Sequence, residues 1–355
     1  MQKRRDFLKT LTLGSGVLLV TPTLLSSFKS ITENILSSRI DVSFQVFPWA
    51  LYLDRQNDGT EWHNSQANFQ LLSTSYTASN NQSTFKSAEG FLEINGLSQT
   101  DINTSVTNLT KNISAAGLIM KSAYTDIEIH NSISGQANAD LVIYAAKQAK
   151  KANIGFEILV FNPAPEDWDN IELQKTASEL VTQVNQLSRI VTALKTIGVT
   201  VSLHHHEAPV KINSNIPKIS STTTEIEYML EQITDLTLCL EPTWLHRGLG
   251  ANKTATNNKL TQLIKTYGTR ISEIHIRQSS NNVFKETFSN ISDTDDIDYS
   301  NIVTLFSDLL ANNSITELPH LVLEQFFDDG AKNAYPTATD AQTANLNAVK
   351  GVFCK

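Results

Sequence analysis

The feature that most constrains this chain is an alternation of short β-like runs with stretches of helical length. The runs are DVSFQVF (41–47), GFLEI (90–94), LIMKSAY (118–124), FEILVF (156–161), VTVSLHH (199–205), LTLCLE (236–241), ISEIHIR (271–277) and HLVLEQF (320–326). Amphipathic patterns lie between them at 99–115, 136–151, 171–197, 223–233, 256–267 and 299–311, and a last one at 339–352. The clearest is LQKTASELVTQVNQLSRIVTALKTIG, with apolar residues at three- and four-residue spacing and Gly198 as the stop. Segments 54–83 and 279–297, rich in Asn, Ser and Thr, read as loops.

Strands separated by helices pair in parallel through right-handed crossovers. Eight such units predict a single (β/α)8 TIM barrel over residues 40–355. The rival, an open doubly wound sheet, normally carries a Gly-rich phosphate turn after its first strand. Here the first strand runs into PWALYLDRQ, which has no glycine. In such barrels chemistry sits at the C-terminal ends of the strands. The polar residues there are Asn162, His204, His206, Glu241, His275, Arg277 and Glu324. Alternation along a strand places His204 and His206 on one face and His205 and Glu207 on the other. The run HHHEAP is thus the fifth strand's contribution to a shared mouth.

The N-terminus reads differently. KRRDFLK is followed by an apolar stretch too short and broken for a comfortable membrane span. A basic segment ahead of an apolar one is the pattern of an export signal, and Arg4-Arg5 before Phe7-Leu8 resembles the twin-arginine type. Residues 1–30 are therefore expected to direct the protein to the periplasm, with an anchor by an uncleaved signal left open. Net charge is −8 and no basic patch lies beyond the N-terminus, so nucleic acid is excluded as a partner. No membrane contact beyond the signal is expected, and an oligomer is left open. The two cysteines, Cys239 in an apolar strand and Cys354 at the end, suggest no disulfide framework. Cys239 reads as a small buried hydrophobe.

The strand ends also resemble a known family. VTVSLHHHEAP is similar to the Tyr-His-x-His-Asp/Glu strand of the xylose-isomerase-like sugar phosphate isomerase/epimerase superfamily. LCLEPTWLHRGLG, RISEIHIRQSS followed by DIDYSNIVTLF, and HLVLEQFFDDG resemble its next three strands in order, and FNPAPEDW resembles one of its subgroups. The resemblance implies a divalent metal held from four strands. By position the ligands fall on His204, Glu241, His275 and Glu324. Where the family has Glu and Asp, this chain has His204 and the longer Glu241. Imidazole donors suit Mn2+ first, with Fe2+ or Zn2+ as alternatives, better than Mg2+.

What the resemblance implies for activity is an isomerase, epimerase or dehydratase acting on a sugar, keto-sugar or polyol. His206 or Glu324 would be the base that takes a carbon-bound proton. Arg277 would bind an anionic or polyhydroxyl group, while Trp244, His246 and Asn162 would line the pocket. Bland alternatives stand beside each: Glu241 as one half of an ion pair with Arg247 or Arg277, Trp244 as packing, Asn162 as a cap ahead of Pro163. A non-catalytic carbohydrate-binding barrel and a metal-dependent hydrolase are the competing functions. Replacing Arg4 and Arg5 together by lysine and fractionating cells tests the export reading: the protein is expected to be retained in the cytoplasm, and unchanged export rejects the route.

Overall fold

The strands expected from sequence close on themselves. The computed structural model describes residues 42–46, 66–78, 86–163, 174–217, 220–280, 283–284, 295–324 and 338–353. The barrel strands are β1 (Val42–Gln45), β2 (Ser87–Phe91), β3 (Ile119–Asp126), β4 (Ile158–Asn162), β5 (Thr200–Leu203), β6 (Thr237–Leu240), β7 (Ile271–Ile276) and β10 (His320–Leu323). They form a closed barrel in which every neighbouring pair is parallel, with β1 pairing both β2 and β10. A two-stranded hairpin, β8 (Ser279–Ser280) and β9 (Val283–Phe284), lies outside it. These residues fall in one compact unit, Ile40–Phe353.

The helices are α1 (Gln66–Ala78), α2 (Gln99–Ala115), α3 (Gly135–Lys151), α4 (Ala177–Lys195), α5 (Glu225–Gln232), α6 (Pro242–Gly248), α7 (Lys253–Tyr267), α8 (Tyr299–Ala311) and α9 (Ala338–Phe353). Their apolar faces cover the outer side of the strands: Leu180, Leu187, Ile190 and Leu194 of α4 are all fully buried. Capping residues fix the register. Thr176 starts α4 with a capping box, its hydroxyl accepting from Glu179 N while the Glu179 carboxylate accepts from Thr176 N. After α4 the Val199 amide donates back to Leu194 O, and Gly198 takes φ +69, the left-handed turn that lets β5 begin at once.

The β8–β9 hairpin falls in the segment read as the loop 279–297, and two further elements depart from the expectation. Part of the segment read as the loop 54–83 is helix α1, because Phe69 and Leu72 are buried in the core although polar residues surround them. A second short helix, α6, follows β6 directly, with Glu241 as its N-cap and Pro242 at its first turn. Gly248 ends α6 against the preceding loop, where a Cβ would meet Val210 Cγ2 at 2.1 Å and Glu207 O at 2.7 Å. The sequence segment read as an export signal lies outside the described residues, and among those described no helix is long and apolar enough to cross a membrane.

The barrel interior is polar over much of its height. Ser43 Oγ lies 2.6 Å from Ser87 Oγ and 2.8 Å from His320 Nε2, joining β1, β2 and β10. Thr237 and Ser272 Oγ stand 2.7 Å apart, and Ser272 Oγ donates to Ser202 Oγ at 2.8 Å, joining β5, β6 and β7. One apolar cluster, Tyr124, Ile158, Val160 and Cys239 with Phe91 packed against it, faces these groups.

Outside the barrel, Arg270 knits two units together. Its guanidinium donates to the carbonyls of Leu230, Ile233 and Leu236, at the end of α5 and the entry to β6, over 2.5–3.0 Å. Lysine cannot reproduce that fork. Arg270→Lys is expected to cost about 2 kcal/mol of unfolding free energy in urea titration, since several charge-assisted bonds to carbonyls are lost. A change below the precision of the measurement would show that the fork contributes nothing.

Candidate metal centre

The strand ends converge. One donor atom from each of His204, Glu241, His275 and Glu324 lies within 4.8 Å of the others, and all four side chains are buried. Each sits at a definite place in the fold. His204 follows β5, its amide donating to Phe161 O of β4. Glu241 ends β6 and Glu324 ends β10, the latter's amide donating to Ile276 O. His275 lies inside β7, two residues after Glu273 on the same inward face.

The four groups are oriented for a cation. His275 Nδ1 is 2.9 Å from Glu324 Oε2 and 3.8 Å from Glu241 Oε2. Glu241 Oε1 accepts from the Thr243 hydroxyl and, at 3.3 Å, from Thr243 N at the start of α6. That leaves Glu241 Oε2 buried with no hydrogen-bond partner, and His204 Nδ1 is likewise buried and unpartnered. Buried polar atoms without partners are costly. Two imidazoles and two carboxylates converging on one point, two of their atoms unsatisfied, fit a divalent ion of the borderline class. Burial and then the charge of Glu324 push the Glu241 carboxyl up to about 8, a shift that a positive ion beside it reverses.

A second donor set overlaps the first. Cys239 brings its sulfur within the same 4.8 Å of His204 and His275. It is fully buried, and burial lifts its thiol out of the ordinary range. The sequence reading had it as plain packing. Its inward position on β6, two residues before Glu241, is the signal that places it beside the ligands.

The remaining candidates divide. His206 is buried, its ring 5.2 Å from His204 edge-on and 4.7 Å from Trp244. Asn162 Nδ2 lies 3.4 Å from both His206 ring nitrogens and donates to Tyr124 OH at 3.1 Å. Desolvation first, then His205 and Arg277, hold His206 down to about 3, so its imidazole is neutral. Arg277 is buried and reaches Glu324 Oε1 at 3.7 Å. Trp244, half-buried, has the guanidinium carbons of Arg247 and Arg277 over its ring at 4.8 and 5.7 Å. His246 points elsewhere: its Nδ1 is 2.9 Å from Thr256 Oγ1 of α7, and its Nε2 is 3.6 Å from Asp296. His205 is a satisfied core residue, its Nε2 accepting from Glu241 N and its Nδ1 facing His206 O at 3.3 Å. Arg247 pairs with Glu207 at 2.7 Å and Arg277 with Glu324, so neither is the ion-pair partner the sequence offered for Glu241.

The segment after β7 is pinned by DIDYS. Tyr299 OH donates to Arg277 O at 2.7 Å and accepts from Arg277 N at 3.0 Å. Ser279 Oγ donates to Asp296 at 2.8 Å, and Gln278 Nε2 donates to Ile297 O. Two further buried carboxyl residues beside the donor cluster lie outside the sequence expectation. Glu89 of β2 and Glu273 of β7 are fully buried directly beneath His275. Glu273 was legible from its two-residue spacing to His275. Glu89 was not, because β2 was placed three residues too late, at 90–94 instead of Ser87–Phe91.

The fold is a closed (β/α)8 barrel, and it is similar to the barrels of solved sugar isomerases and epimerases. A sugar phosphate isomerase/epimerase from Parabacteroides distasonis matches with a TM-score of 0.55 at 13% identity, over 88% of this chain and 95% of that one. An L-ribulose 3-epimerase matches with 0.54 at 14%, over 89% and 94%. The IOLI protein with a bound zinc atom matches with 0.55 at 13%, over 88% and 98%. At the level of sequence, residues 166–342, just under half of the chain, match the family model of D-mannonate dehydratase (UxuA). No curated protein sequence matches the chain.

Metal analysis of purified protein is expected to show a bound divalent ion that Glu324→Gln and His275→Ala both lose. Unaltered content in both variants removes the centre. Cys239→Ser separates the two donor sets: content is retained if nitrogen and oxygen atoms hold the ion, and falls if the sulfur does.

Proposed function

We propose that this chain is a divalent-metal-dependent carbohydrate enzyme that removes a carbon-bound proton next to the carboxylate or carbonyl of its substrate, and that the reaction its site favours is dehydration of a sugar acid. The observation that carries this reading is the convergence of His204, Glu241, His275 and Glu324 at the mouth, with Arg277 against Glu324. The metal, Mn2+ in first place, would polarise the substrate's carboxylate or carbonyl and so acidify the neighbouring C–H.

The chain's own residues supply the rest. Arg277 offers a buried guanidinium, and a guanidinium pairs a carboxylate in a two-point fork. Trp244 under that cation offers an apolar plane to the sugar's C–H face. His206, a neutral imidazole beside Asn162, can take a proton at a ring nitrogen. Glu324, touching both Arg277 and His275, is the second group able to carry a proton at the mouth.

Support for dehydration over epimerisation comes from the donor types and from the family-model match. Epimerisation by a two-glutamate shuttle takes a proton from one face of a carbon with one glutamate and returns it to the other face with a second. Here the residue following β5 is an imidazole, and Glu241 is tied down by Thr243. The D-mannonate dehydratase model spans all four donors. Ketose epimerisation is the second reading, favoured by structural neighbours such as a D-allulose 3-epimerase from Methylomonas sp. in complex with D-allulose.

Mn2+-loaded protein incubated in D2O with a panel of aldonic acids, uronic acids and keto-sugars decides between them. Dehydration is expected to appear as loss of water from an acid substrate. His206→Ala should lower kcat by roughly 10²–10⁴-fold if its imidazole moves the proton. Deuterium wash-in to a keto-sugar without loss of water favours epimerisation. Sugar binding with neither, across Mn2+, Fe2+ and Zn2+, leaves a binding barrel and rejects the proposal.

A further inference from the structure

The lower nitrogen of His275 faces away from the donor cluster and into the barrel. Nε2 lies 3.2 Å from Glu89 Oε2 and 3.1 Å from Glu273 Oε1, and all three side chains have no solvent exposure. A carboxylate inside a barrel is expensive unless it is bonded and paired. Glu89 is held on both oxygens: Gln45 Nε2 donates to Oε1 at 2.9 Å, and Ser122 Oγ lies 3.3 Å from Oε2. Glu89 of β2 and Glu273 of β7 meet the imidazole edge, and Gln45 of β1 and Ser122 of β3 hold Glu89 in turn. Nothing in a purely structural barrel requires this, because apolar side chains would fill the same space at lower cost.

We propose that Glu89 and Glu273 are positioning residues for the metal centre: together they hold the proton of His275 on Nε2, so that Nδ1 presents its lone pair to the ion shared with His204, Glu241 and Glu324. A ligating histidine whose far N–H is bonded to a carboxylate has a fixed tautomer, a fixed ring plane and a more basic ligating nitrogen. Two carboxyl groups beneath one ring make the arrangement stiffer than one, since the ring cannot turn away from either without losing a buried hydrogen bond. The inference rests on the metal reading of the site and says which residues beneath that site set its affinity.

The test uses the full-length protein stripped with chelator and titrated with Zn2+ and with Mn2+ by calorimetry. Alongside it, the Tm of the metal-free protein and the 15N-resolved Nε2–H signal of His275 in the Zn2+ form are measured. Glu89→Gln and Glu273→Gln are each expected to weaken binding by about 10–100-fold, the double variant most. The metal-free Tm is expected to fall as well, because the His275 ring loses a buried carboxylate partner, so the affinity and not the Tm carries the test. The Nε2–H signal, present in wild type, should shift or vanish in Glu89→Gln, and Glu89→Asp should recover part of the affinity. Should Glu89→Gln fail to fold, Gln45→Met, which frees one oxygen of Glu89, gives the same comparison. Unchanged affinity with a lowered metal-free Tm overturns the proposal in favour of a packing role. Two ions per chain also overturn it, because Glu89, Glu273 and Nε2 would then be ligands themselves. A wild type that binds neither ion refutes the metal reading itself, whatever the variants do.

Discussion

The imidazole of His275 has a carboxylate on each side, and the rest of the mouth is arranged around that fact. Burial works against an imidazolium, but Cys239, Glu89 and Glu273 outweigh it and hold the ring's pKa well above its usual value. The ring nitrogens face Glu324 on the upper side and Glu89 and Glu273 on the lower; an ion bound as proposed would displace a proton from the upper nitrogen. A buried charge of this kind fixes its neighbours, since each must satisfy the next. Gln45 and Ser122 serve Glu89, Thr243 serves Glu241, and Tyr299 clamps the backbone at Arg277.

Holding those groups inside the barrel divides labour between its two faces. The outward face of each strand packs against helices in one large apolar cluster, and the favourable burial energy comes from there. The inward face carries serines, glutamates and histidines, which contribute little net stability once their desolvation is counted. Interior packing in barrels is ordinarily dominated by branched apolar residues. Here, among the described residues, Tyr124, Ile158, Val160 and Cys239 form a small apolar cluster apart from the large one. A protein organised this way can exchange interior residues at modest cost in folding and large cost in function.

That division also explains what was legible in the sequence. FEILVF, ahead of Asn162, and LTLCLE, ending in Glu241, have an apolar outward face with a polar residue at the end, and their expected bounds lie within two residues of the strands at each end. Their chemistry followed from topology, because closure brings all C-terminal ends to one mouth. The strand SAEGF was misplaced because its inward residues, Ser87 and Glu89, look like turn residues until the cavity they fill is known. Helix α1 was hidden for a related reason: Phe69 and Leu72 anchor it while Gln66, Gln70, Thr74 and Thr77 occupy its open side. His246 was drawn into the site by its distance along the chain from Glu241. The turn of α6 instead sends its ring toward Thr256.

What the donor set leaves undecided, the outer ring of the mouth decides. Isomerisation, epimerisation and dehydration all begin by acidifying a C–H beside a polarised oxygen, so the cluster at His204, Glu241, His275 and Glu324 is compatible with each. Selection falls to the groups that hold the remainder of the substrate. Arg277 is buried against a carboxylate, Arg247 is paired with Glu207, and both lie over Trp244. A neutral ketose entering here would disturb these ion pairs without offering a charge in return. An acid can take over the guanidinium of Arg277 with its own carboxylate and free Glu324 Oε1. Loss of a charge-assisted partner in a buried site costs several kcal/mol unless it is replaced in kind. On the function proposed here, the charge balance of the mouth would therefore favour an anion, whichever metal the four donors held.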